Sequence, residues 1–244
     1  MNLEITKPAL KKISFKSLGL AAILAFSSLA SAQDNYVIKM AVKIEGLPAE
    51  YAAMGEMDII NTIKGEKIKT ERNGMMESSV SVYDGKKMIS LTEAMGQKMG
   101  FTATKEELEA SDKDTKTPKA KFEYTSEKKM IAGYEATKVL MTTSEKKEDV
   151  VTLWVTEKVK YMHPEANKAA GKGMLDLSEL KGYPLAMEMN QSANGMAMKI
   201  IMTTTEISTG PIDDSVFVLN TDGYKLMNYK EMQAKQKAMM GQGR

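Results

Sequence analysis

Two Met-x-Met pairs flank an Asn-Gly in "MEMNQSANGMAM", Met187 to Met198, within a chain of 244 residues that holds 22 methionines. Thioether side chains in such numbers have three uses. Unbranched and polarizable, they fill irregular gaps in a core. They also repack around greasy ligands of differing shape, and they bind soft metal, Cu(I) above all. Other residues able to do chemistry are scarce. Cysteine is absent, and the single histidine, His163, precedes Pro164 in an expected loop. That leaves no thiol nucleophile and no zinc set, which needs thiolates or several imidazoles. Neither a Gly-x-Ser-x-Gly nor a phosphate-cradling glycine loop occurs. Asp213-Asp214 are adjacent carboxylates, but "GPIDDS" reads as a turn leading into a "VFVL" strand. No catalytic residue, metal ligand or cofactor is assigned, and the chain reads as non-enzymatic. Packing, apolar cavity and copper all remain open for the methionines. Copper is the alternative because such sites usually add a histidine or cysteine.

The first residues read as an address. Lys7, Lys11, Lys12 and Lys16 form a basic region, Leu18 to Leu29 an apolar run, and Ala30-Ser31-Ala32 a small-x-small cleavage site. This is the pattern of a secretory signal peptide over residues 1–32. Its apolar run is far below the roughly 20 residues needed to span a bilayer. With no cysteine after it, a lipoprotein anchor is not expected. Removing residues 1–32 takes away four lysines and one glutamate, leaving 30 basic against 31 acidic side chains. The two arginines, Arg72 and Arg244, form no clustered basic face, so nucleic acid is not an expected partner. Residues 33–244 suffice for one domain, without disulfides and without a membrane span.

The elements that must position the methionines are strands. From Tyr36 the dominant period is two: Tyr36, Ile38, Met40, Val42 and Ile44 share one face, and Val37, Lys39, Ala41 and Lys43 the other. Similar segments are "MDIINTIKG", "EKIKTERNG", "SSVSVYDG", "KKMISLTE", "AKFEYTSE", "YEATKVLMTT", "DVVTLWVTE", the two methionine strands and "SVFVLNTDG". Turns are expected at Lys64-Gly65, Asn73-Gly74, Asp84-Gly85 and Asn194-Gly195. About ten strands joined by short turns predict a mainly β protein, a curved antiparallel sheet or incomplete barrel. Thr104 with Glu107, and Asn228 with Glu231, predict the starts of short helices, the second ending at Gly241. "PEANKAAGKG" and "DLSELKG" are further helix candidates, and "EASDKDTKTPK" (109–119) is a charged linker.

A type I′ turn at Asn194-Gly195 sets the hairpin register. Ala193 then faces Met196, Gln191 faces Met198, Met189 faces Ile200, and Met187 faces Met202. Leu185, Met187, Met189, Met196, Met198, Ile200 and Met202 form one apolar face, and a one-residue slip would destroy it. Trp154, the only tryptophan, sits in the apolar "LWV" and joins the candidate ligand-binding residues.

The segments "KMIAGYEATKVLM", "VTLWVTEKV", "LKGYPLAMEM" and "PIDDSVFVLNTDGYKLM" follow the order found in uncharacterised exported bacterial proteins of a LolA-like type. This chain resembles them best from Phe122 to Met227. The resemblance implies an incomplete barrel around helices, with an apolar concavity able to hold acyl chains, as in periplasmic lipoprotein carriers. No binding residue is carried over. The expected protein is periplasmic or secreted, binding a lipid or lipidated partner. The alternatives are a methionine-rich copper-binding protein and a structural envelope protein without a small ligand.

Protein recovered from its host is expected to begin at Gln33, as read by N-terminal sequencing. Recovery of mature material retaining Met1 would refute export by cleavage.

Overall fold

The computed structural model describes residues 35–113, 120–142, 150–159, 177, 179–193 and 196–241. The strands are β1 (Asn35–Glu45), β2 (Glu56–Lys64), β3 (Lys67–Gly74), β4 (Glu77–Tyr83), β5 (Lys87–Ala94), β6 (Gln97–Thr104), β7 (Lys121–Ile131), β8 (Tyr134–Thr142), β9 (Val150–Thr156), β10 (Tyr183–Ala193), β11 (Met196–Thr209) and β12 (Lys225–Asn228). Two helices are described, α1 (Lys105–Lys113) and α2 (Tyr229–Gly241). The strands form one curved, open sheet in the order β12-β6-β5-β4-β3-β2-β1-β11-β10-β9-β8-β7. Two antiparallel meanders, β1 to β6 and β7 to β11, thus meet where β1 pairs with β11.

The period of two in the sequence becomes the inner face of this sheet. Tyr36, Ile63, Ile68, Tyr83, Met88 and Ala103 are paired one to the next across β1 to β6, and all are buried. Leu108 of α1 and Tyr229 of α2 join the same cluster, with Met232 packed against it. The Phe101 and Tyr229 rings lie 6.1 Å apart. Burying each large apolar side chain contributes about 1.5–3 kcal/mol, which is what holds short helices on the sheet.

Both helix starts take the expected form. Glu107 accepts from the Thr104 backbone N–H at 3.0 Å while Thr104 Oγ1 accepts from the Glu107 N–H at 3.3 Å. Asn228 and Glu231 exchange the equivalent bonds at 3.2 and 3.0 Å. The first helix continues through Lys113, deep into the segment expected to be linker.

Two expectations are corrected, and two strands appear that the sequence did not announce. "SVFVLNTDG" is not a strand. Asp213 accepts from the Ser215 N–H at 2.8 Å and caps a 3₁₀ turn over Asp214–Phe217. Lys64 and Lys67 hold Asp214 at 3.0 and 2.9 Å and keep its carboxyl below the usual range. The backbone from Pro211 to Tyr224 instead straps the outer face, with Lys67 over the Phe217 ring at 5.9 Å and Lys98 over Tyr224 at 5.5 Å. β6 and β12 went unread because Gly100 interrupts the first and the second is only four residues long. β12 pairs parallel with β6. A Cβ on Gly100 would meet Leu91 Cδ2 at 2.7 Å and Leu226 Cδ2 at 2.8 Å, so glycine admits both leucines. Finally, Asn73-Gly74 belongs to β3, and the turn falls on the exposed Met75-Met76.

Residues 1–32, His163, "PEANKAAGKG" and Asn194-Gly195 lie outside the described residues. Of "DLSELKG" a turn is described, with the Leu180 N–H donating to Leu177 O at 3.0 Å.

Gly46 ties the end of β1 to the methionine hairpin. Its φ is +91°, and an added Cβ would collide with the Ala197 carbonyl oxygen. Gly96 has a φ of +74° with open space around it. Gly96→Ala is expected to lose only the strain of a left-handed residue, about 1–3 kcal/mol. Gly46→Ala adds a steric clash and should lose more in urea unfolding; equal losses would refute the close approach.

Candidate ligand-binding site

The methionine hairpin has the register read from the sequence. Met187 pairs with Met202, Met189 with Ile200, Gln191 with Met198, and Ala193 with Met196. On one side β1 extends the wall, Val42 pairing with Met202 and Ile44 with Ile200. On the other, Met187 pairs with Leu153 of β9 and Leu153 with Val139 of β8. Directly opposed residues share a face, so five strands present one continuous apolar surface. Met202 packs against both the β1–β6 cluster and the β8–β10 cluster, and so joins them.

Burial along this wall is graded. Val139, Met141 and Leu153 are fully buried, Met187 keeps 8% of its surface, and Met189, Met198, Ile200 and Met202 are half-buried. The opposite face of the hairpin is charged. Lys199 Nζ contacts Glu188 Oε2 at 2.7 Å, a hydrogen bond that lowers the Glu188 carboxyl and raises the Lys199 ammonium from their ordinary pKa values.

Two expected residues stand elsewhere. Trp154 pairs with Ala186 and Lys138, so it occupies the face opposite Met187 and Leu153. Lys129 Nζ lies 4.1 Å from its ring centroid, a cation–π contact. The cause is parity: Leu153 and Trp154 are neighbours in a strand and must point apart. Leu185 falls at a β-bulge, where the β9–β10 register shifts between Pro184 and Ala186. The extra residue turns Leu185 into the cluster of Ile131, Ala136 and Ala186, away from the methionines.

Thr204 was not singled out by its type. It pairs with Met40 on the inner face, is 2% exposed, and its Oγ1 has no hydrogen-bond partner among the described residues. A buried, unsatisfied hydroxyl is costly. A shallow depression of about 210 Å³, lined by Glu71, Asn73, Ser78, Ser79, Val80, Leu91 and Tyr224, includes no residue of the methionine wall.

No family model matches the chain, and no curated protein matches its sequence. Among solved structures, the chain is similar to PNGF-II with a TM-score of 0.44 and 15% identity, over 82% of this chain and 32% of that one. It thus spans about a third of that protein. It is similar to the Mycobacterium tuberculosis lipoprotein LppX with a TM-score of 0.36 and 12% identity, over 81% of this chain and 99% of that one. Against the Pseudomonas aeruginosa MucA/MucB complex the TM-score is 0.36 with 9% identity, over 82% of this chain and 61% of that one.

Thr204→Val replaces the orphaned hydroxyl by a methyl of similar shape. Stability in urea is expected to hold or rise by up to about 1–3 kcal/mol, the penalty of a buried unpaired polar group. A clear fall would show that the hydroxyl is bonded in solution.

Proposed function

We propose that this chain is a non-catalytic, extracytoplasmic protein that binds a hydrophobic ligand, a lipid or lipidated partner, against the inner wall of its open sheet. The observation that carries this reading is the graded burial of the wall. Leu153 and Val139 are sealed, whereas Met189, Met198, Ile200 and Met202, on the same face, retain accessible surface. A packed core would seal them too. Flexible thioethers at the accessible end suit a ligand whose shape varies, since each methionine rotates about several bonds. The export expectation for residues 1–32 supports the compartment, and the LolA-like resemblance supports an envelope carrier. Among the described residues no helix is long and apolar enough to cross a membrane.

Native mass spectrometry of detergent-free protein tests the reading, with adducts of acyl-lipid mass expected. Bound copper removed by norleucine substitution, with no apolar probe bound, would favour the copper alternative. A bare chain that binds no probe would leave the structural envelope role.

Single substitutions should separate wall from core. Met187→Ala removes a buried side chain and is expected to cost roughly 2–5 kcal/mol of stability. Met189→Ala should cost distinctly less, yet weaken a fluorescent fatty acid more than it lowers stability. Equal stability losses, with no loss of probe affinity for Met189→Ala, would place both residues in ordinary core.

A further inference from the structure

The inner face is not apolar throughout. Above the apolar base, polar side chains cross β2 to β5 in direct register: Asn61 pairs with Thr70, Thr70 with Ser81, and Ser81 with Ser90. One step further along each strand, Arg72 pairs with Ser79 and Ser79 with Thr92. Residues two apart share a face, so these seven side chains lie on the face that carries Ile63, Ile68, Tyr83 and Met88. The first row is partly self-satisfied: Thr70 Oγ1 donates to Asn61 Oδ1 at 2.8 Å, and Asn61 Nδ2 reaches Met40 Sδ at 3.7 Å.

The second row carries a charge. Arg72 is half-buried, and removal from water pulls its guanidinium below the ordinary arginine range, while the Glu77 carboxylate acts in the opposite sense. Glu77 is exposed and lies two residues before Ser79 on the same strand. From Arg72 the same level of the sheet runs through Ile59 and Met40 to Thr204, one step from Met202. Four strand spacings, at most about 19 Å, separate β3 from β10. A single sheet face therefore offers a hydroxyl-lined end bearing the Arg72 guanidinium beside the Glu77 carboxylate, and a methionine-lined end within the reach of one long acyl chain.

We infer that the ligand is an anionic amphiphile, its carboxylate or phosphate head held by Arg72 with the Ser79 and Thr92 hydroxyls and its chain lying toward Met202, Met187 and Met189. The inference rests on the hydrophobic-ligand reading and names the class of ligand. A guanidinium stays charged and presents a planar fork that matches a carboxylate or phosphate. A neutral lipid would gain less from it, lacking the charge-assisted pair. Glu77 is the competing anion, so its removal should favour the ligand.

The test compares cis-parinaric acid with its methyl ester on the full chain, by fluorescence. The acid is expected to bind at least about tenfold more tightly, 1.4 kcal/mol. Arg72→Met should bring the acid to the affinity of the ester and leave the ester unchanged, with thermal unfolding confirming the fold. Glu77→Gln should tighten the acid alone, an arm that stands even if Arg72→Met does not fold. Dodecanoate and dodecyl phosphate should both displace the acid, and inorganic phosphate should not. Equal binding of acid and ester, with no response to Glu77→Gln, would overturn the anionic head while leaving a hydrophobic ligand in place. Displacement by inorganic phosphate alone would make this a free-anion site and overturn the amphiphile. Binding of neither probe would overturn the hydrophobic-ligand reading itself, and this inference with it.

Discussion

The hydrogen-bonded seam from Tyr36–Thr209 to Glu45–Lys199 joins two strands at opposite ends of the described chain, and everything on the inner face follows from it. Within each meander every strand pairs with its neighbour in sequence. Neither can present a continuous wall alone, because β1 and β11 are the strands that place Val42 beside Met202 and Ile44 beside Ile200. Closing so long a loop costs entropy that grows slowly with length but must be met before the pairing exists. The compensation is apolar: Met202 packs against both core clusters at this junction. The seam's exposed ion pair, Lys39 to Glu206 at 2.8 Å, adds little by comparison.

An open sheet leaves two faces to be covered, and this chain covers them by different means. Inside, α1 and α2 seal the apolar base through Leu108 and Tyr229. Outside, the strap from Pro211 to Tyr224 lies over β2 to β6, held by Asp214 between Lys64 and Lys67. Ile131, Ala136, Leu185 and Ala186 make a third cluster, with Trp154 packed against it and Tyr134, Tyr183 and Ile207 shared with the inner cluster. The bulge at Leu185 supplies one of its members from a strand whose next inward residue, Met187, belongs to the inner core.

What remains accessible on the inner face is therefore uneven. The methionine end is apolar and adaptable, and the β2–β5 end carries hydroxyls and a guanidinium. Polar groups on a core-bearing face carry a desolvation penalty unless they are bonded. Thr70 and Asn61 bond each other, whereas Thr204 has no partner among the described residues.

Most strands, the alternation along each, the hairpin register and both helix caps were legible in the sequence, because they depend on neighbours two to four residues apart or on a short turn. Tyr36, Ile38 and Met40 declare an inner face by alternation alone, and Met187 to Met202 declare theirs by the only register that keeps the thioethers together. Three features were decided by tertiary structure. Val216 and Val218 look like strand residues, yet Lys64 and Lys67, distant in sequence, hold Asp214 and bend the segment into a strap. Trp154 looked like part of the wall until pairing with Ala186 and Lys138 put it on the other side. Arg72 lies in a polar-looking strand, and its inward aspect follows from which neighbour supplies Ile63 and Ser79. Local alternation tells that two faces exist, but which of them encloses the interior is set only when distant strands pair and the sheet curves.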